Sequence, residues 1–281
     1  VLDISDINNI GQVNRLENVL YNNVFWPFEA DIVENEDFDW ENEVLIGWET
    51  TTERRLIAEV EEQRNTDVIF FGDIAVAEAS DAGGAGQGGS LARFKIVEDY
   101  LYAVDSHNIN VFNISDLDNP VDLEDVYAGF DIETIFNRGN HLFLGSMRGM
   151  YIYDISSPAT PTFVSEFQHG TACDPVVVDG DYAYVTLRGG NLCGAVESGL
   201  YIVDISDIKN PELAIEYPMD EPYGLGIKEE KLFICDGASG LKVYDKTNIE
   251  SLVELNHFED IVTYDVIPME NHLIMVGDGV L

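Results

Sequence analysis

Positive charge is what this sequence has least of. It carries 14 Lys and Arg against 53 Asp and Glu, a formal net charge of −39. Such a surface repels phosphate backbones and anionic headgroups, which excludes nucleic acid or an anionic membrane as the main partner. A cation-rich or high-salt environment accounts for the charge without any ligand. Long apolar runs are missing too. No stretch reaches the roughly 18 consecutive apolar residues of a transmembrane helix. Neither a signal peptide nor an initiating Met opens the chain. It reads as a processed protein or a fragment, with room for a lipid anchor upstream of Val1.

Motifs that carry chemistry are equally sparse. The five His residues include no i, i+4 pair and none near paired Cys, so no metal pattern forms. No phosphate-binding loop and no nucleophile elbow are present. No cofactor is expected. Calcium is the ion that the acidic run from Asp31 to Glu41 could hold through oxygen ligands, but the run lacks the Gly and spacing of an EF-hand and reads as a solvated loop. Gly84, Gly86 and Gly89 have the spacing of a dinucleotide-binding turn. A pyrophosphate needs the free amides of a helix start after that turn. Here Ser90 leads into the alternating Leu91-Ala-Arg-Phe-Lys-Ile-Val97, a strand, so the glycines read as a flexible connection.

What the chain does have is a repeat. LYAVDSHNINVFNISDLDNP begins at 101, and related segments begin at 142, 183, 232 and 273. The steps 101 to 142, 142 to 183 and 232 to 273 are all 41, and 183 to 232 is 49, one insertion. Phe94, Ile135, Val176, Leu225 and Val266 each precede an anchor by the same seven residues, and all are apolar. Within a repeat the period is that of strands, with Pro120, Pro161 and Pro211 breaking the chain at one equivalent place. Four short strands in about 40 to 45 residues is the period of a propeller blade. The expected fold is therefore an all-β propeller of four-stranded antiparallel blades, read as a single domain over 1–281. Six blades are counted, and seven or eight follow if the chain is cut. Residues 1–20 read as the end of a blade that closes the ring with 262–281. Residues 21–91 read as an irregular blade with a charged insertion from Glu53 to Gln63 and the Gly-rich loop, and 92–281 as regular repeats.

Leu200-Tyr-Ile-Val-Asp204 followed by Ile-Ser-Asp-x-x-Asn-Pro211 resembles the LVIVD repeat, and Val1-Leu-Asp-Ile-Ser-Asp-Ile-Asn-Asn9 resembles it again. The resemblance implies a bacterial or archaeal propeller at the cell surface, often lipid-anchored. It implies no catalytic residue.

Propeller topology puts the loop before each innermost strand and the loop between second and third strands on one face. Glu133, Asp174, Tyr223 and Tyr264 share one repeat position there, joined by His169, Arg148, Arg188 and Asp236 from the neighbouring loops. These residues are the expected ligand-binding mouth of the channel. Cys173 and Cys193 fall on the same face and are the expected disulfide, which suits an oxidising compartment. Cys235 takes a small core position and is expected to be unpaired. Two functions remain in view. One is an extracellular scaffold that binds a glycan, peptide or protein partner. The other is a polysaccharide hydrolase or lyase that uses carboxylates such as Glu133 and Asp174.

Overall fold

The computed structural model describes residues 2–3, 11–16, 89–168, 175–189 and 197–277. The chain is an all-β propeller, and its blades follow the repeat. The first sheet holds β3 (Phe94–Val97), β4 (Tyr100–Val104) and β5 (Asn108–Asn113), with an outer strand split into β6 (Val121–Asp122) and β7 (Val126–Tyr127). Its two-residue predecessors, β1 (Leu2–Asp3) and β2 (Gly11–Gln12), form a hairpin. The second sheet runs β8 (Ile132–Arg138), β9 (His141–Ser146), β10 (Gly149–Asp154), β11 (Thr162–Gln168). The third runs β12 (Val176–Asp179), β13 (Tyr182–Leu187), β14 (Gly199–Asp204), β15 (Glu212–Pro218). The fourth runs β16 (Leu225–Lys228), β17 (Lys231–Cys235), β18 (Leu241–Asp245), β19 (Val253–Phe258). Among the described residues the fifth has two strands, β20 (Thr263–Pro268) and β21 (Leu273–Gly277). Every pairing is antiparallel, and except for β7, which pairs with β5 beyond β6, it joins sequence neighbours, so each sheet is a meander.

The middle strands are unbroken apolar runs because both of their faces are covered. Side chains alternate across a strand, so Leu142 and Leu144 of β9 pack on the first sheet beside Tyr102 and Val111, while Phe143 packs toward Val176 and Val185 of the third. The same division recurs in β13 and β14, whose Tyr184, Leu200 and Ile202 meet Leu225 and Leu232 of the fourth sheet. Each core thus lies between two successive sheets rather than inside one.

The segment joining third and fourth strands explains the Asp-rich part of the repeat. Asn113, Asp154, Asp204 and Asp245 end their strands and accept hydrogen bonds from the backbone nitrogens of Ser115, Ser156, Ser206 and Thr247, at 2.7 to 2.9 Å. A second such turn follows, in which Asp116, Asp207 and Asn248 accept from Asp118, Lys209 and Glu250. These are consecutive Asx turns, which an Asp or Asn can close and an Ala cannot. The carbonyls of Pro158, Ile208 and Ile249, at one equivalent place in the turn, each accept from the preceding sheet: from Tyr102, Ser165 and Tyr217. Asn14 Nδ2 donates to the corresponding turn of the first sheet, at Asp118 O.

Glycine opens the third strand for a different reason. A Cβ at Gly149, Gly199 or Gly240 would lie 2.2, 2.9 or 1.9 Å from a carbonyl oxygen of the fourth strand. The first sheet has Asn108 in this place, and there the outer strand is broken in two.

The innermost strands β3, β8, β12, β16 and β20 adjoin in that order. At the start of β20 the Asp265 carboxylate is sealed against the segment leading into β3. It accepts from Ser90 Oγ at 3.2 Å and from the backbone nitrogens of Ser90, Leu91 and Val266. Ser90 Oγ in turn accepts from Leu225 N at 2.8 Å. Gly89 and Gly224 flank the carboxylate so closely that a Cβ on either would lie within about 2.2 Å of it. One buried side chain therefore ties the first, fourth and fifth sheets together.

Candidate functional site

On the face that carries the second-to-third strand loops, the third, fourth and fifth sheets bring four of the expected residues into one neighbourhood. Hydrogen bonds from Tyr223 N to Cys235 O and from Gly224 N to Tyr264 O, both 2.7 Å, set the two tyrosines side by side. Their rings meet edge to face at 5.1 Å, and the Arg188 guanidinium lies over the Tyr223 ring at 4.0 Å. Burial raises the Tyr223 phenol, Arg188 pulls it back, and Glu221, 3.3 Å from the hydroxyl, adds to the rise. A cation on one aromatic face beside a second, perpendicular ring offers an amphipathic surface with polar edges.

Asp236 sits beneath this surface. It is fully buried and bound to Lys242 at 2.5 Å, and its other bonds come from Glu221 N and Asp220 N. Burial works against the Lys242 ammonium, but the bond to Asp236 outweighs it and the pKa is raised. Asp236 therefore shapes the loop that carries Tyr223. Asp220, exposed beside it, accepts from Ser239 Oγ at 2.7 Å, and His257 Nε2 lies 2.6 Å from Ser239 O. The exposed rim of this patch is thus acidic.

Arg148 goes elsewhere. It lies 5.5 Å from the Phe130 ring and 4.0 Å from Asp131, in a second aromatic cluster with His107 and Tyr127. Glu133 faces Arg93, whose guanidinium donates to Ile132 O; burial lowers the Arg93 pKa, with Glu133 and Asp105 opposing. Asp174, His169, Cys173 and Cys193 lie outside the described residues, as does the acidic run from Asp31 to Glu41. Cys235 is a fully buried free thiol whose pKa burial pushes up to about 12.

Sequence reasoning missed Lys242, Asp220 and Asp265. A signal for Asp265 was present: its repeat equivalents are Arg93, Thr134, Pro175 and Gly224, so a lone acid stands at the start of an innermost strand. Nothing local marks Lys242, since its pairing crosses a hairpin loop whose shape only the fold decides.

The second and third sheets coincide with two family matches. Residues 134–168 and 169–218 each match the LVIVD repeat. Residues 134–218 thus hold two segments that match the LVIVD repeat. Each match covers one four-stranded sheet, and the Asp, Ser and Asn positions in it are the turn-closing groups described above. No curated protein matches the chain. Among solved structures, the chain is similar to a computationally designed protein, Ika8, at 12% identity and TM-score 0.48, over 66% of this chain and 54% of that one. It is similar to a chain of a Saccharomyces cerevisiae complex of Dbp5 with Nup159, Gle1, IP6 and ADP, at 10% identity and TM-score 0.47, over 67% and 52%. The N-terminal domain of Nup159 gives 10% identity and TM-score 0.42, over 60% and 44%. The chain spans about half the length of these structures, and the propeller assignment rests on its own sheets.

Proposed function

We propose that this LVIVD-repeat propeller is a cell-surface binding scaffold, and that the face around Arg188, Tyr223 and Tyr264 engages a glycan, peptide or protein partner. The observation that carries the reading is the contiguous Arg188–Tyr223–Tyr264 surface, at 4.0 and 5.1 Å, rimmed by acceptors from Asp220 and Glu221. Sugar rings present apolar C–H faces and equatorial hydroxyls, which match an aromatic surface with carboxylates at its edge. The acidic surface and the resemblance of the repeats to surface proteins support a location outside the cell, with a lipid anchor or secretion as the means.

A glycan array on the purified chain, followed by a turnover assay on any hit, tests this. Binding without turnover is expected, weakened roughly tenfold or more by Tyr264→Ala or Arg188→Ala. Turnover abolished by Glu133→Gln or Asp174→Asn would establish the hydrolase or lyase instead. Absence of binding on glycan and peptide arrays alike would remove the scaffold reading.

A further inference from the structure

The innermost strands place Lys95, Phe136, Val177, Gly226 and Ile267 at one repeat position, paired with Tyr102, Phe143, Tyr184, Phe233 and Ile274. Four of the five are apolar or carry no side chain. The first is a lysine. Residues from all five innermost strands line an axial cavity of about 340 Å³, and Lys95, Phe136 and Val177 face it together with Val266 and Pro268. A volume of this size lies at the small end of ligand pockets, which span about 300 to 1,000 Å³.

The Lys95 ammonium lies 5.7 Å from the centre of the Phe136 ring, and burial pushes its pKa down. Lys95 itself is half-buried. The two lysines that are more deeply covered each hold a carboxylate at 2.5 Å: Lys242 with Asp236, and Lys246 with Asp179. Lys95 has the Phe136 ring as its neighbour and, among the described residues, no carboxylate or hydrogen-bond partner. In a chain with 53 acids this is not for lack of candidates. A partly desolvated ammonium without a counter-ion is held at some cost, and a charged residue that breaks an apolar repeat beside a cavity is where a local rule gives way to function.

We propose that the axial cavity binds a small organic anion, a monocarboxylate with a compact apolar body, with Lys95 as its counter-ion. Phe136, Val177, Val266 and Pro268 supply the apolar wall. Two acids also border the cavity. Asp179 is held by Lys246, but Glu229 is a negative charge that a dianion such as phosphate would meet. This favours one carboxylate over a multiply charged group.

Calorimetric titration of the full chain with benzoate as the probe tests the proposal, with benzyl alcohol and inorganic phosphate as comparators. Saturable benzoate binding is expected, at least roughly tenfold tighter than either comparator. Lys95→Met should lose benzoate binding by a similar factor, and its unfolding temperature without ligand should stay level or rise, because a desolvated charge has been removed. If that variant does not fold, Lys95→Gln keeps the polarity and removes the charge, with the same expected loss. No saturable benzoate binding to the wild type, equal binding by the Lys95 variant that folds, or phosphate binding as tight as benzoate would each overturn it.

Discussion

Asp265 shows what one side chain contributes when its surroundings come from three sheets. Burial pushes its pKa up to about 6, against four hydrogen bonds that favour the ionised form. In the unfolded chain the same group titrates near 3.8. The folded state therefore binds a proton more readily between those values, so this group's contribution is fully present below about pH 4 and is lost as pH rises through about 6. A shift of about two units corresponds to something on the order of 3 kcal/mol. Asp265→Asn cannot titrate, so the stability of the wild type relative to the variant should increase as pH falls from 7 to 4. Urea unfolding of both proteins across that range checks the slope; a difference independent of pH would remove the assignment. Seven residues before its anchor the repeat names an apolar residue, and the sequence shows it plainly. That the residue just before it would be an acid sealed by Ser90, Gly89 and Gly224 was not legible, because those partners stand 175, 176 and 41 positions away.

At the scale of the element, strands and turns follow local rules. The repeat of apolar positions gave the middle strands, and Pro211 marked the break, which the structure shows to be made by Asx turns at Asp204 and Asp207. The glycine that opens the third strand of the second, third and fourth sheets answers to packing between strands. Gly240 has φ +86°, and a Cβ there would lie 1.9 Å from Phe258 O. Gly240→Ala should cost about 2 to 3 kcal/mol, since it adds backbone strain to a clash that the adjacent strand cannot relieve. Gly180 has φ +55° with no atom within 4 Å of a Cβ. Gly180→Ala should cost only about 1 kcal/mol, from the left-handed backbone alone. Thermal unfolding of the two variants separates strain from collision, and equal losses would show that the inter-strand contact has no weight.

For the whole molecule, charge is the dominant long-range term. With a net charge of −39, self-repulsion opposes the compact state, and among the described residues the close pairs Lys242–Asp236 and Lys246–Asp179 are too few to offset it. Raising ionic strength from about 0.01 to 0.5 M shortens the Debye length from roughly 30 Å to a few Å. The unfolding temperature should therefore rise with sodium chloride over that range and then level off. A fall would mean that exposed ion pairs, not repulsion, dominate the surface.

The sequence by itself determined the blade, its four strands and the turns between them. Each of those depends on residues within about 40 positions, repeated often enough that the period could be read against noise. It also placed Tyr223 and Tyr264 at one repeat position and set Arg188 in a loop of the same face. Tertiary structure alone decided that Arg188 lies on Tyr223, that Arg148 turns to Phe130, and that Asp236 is spent on Lys242. It alone opened the axial cavity onto Lys95. The physical reason is that a repeat fixes where a residue sits along its strand, whereas the shapes of the loops and the packing of neighbouring sheets decide which side chains meet.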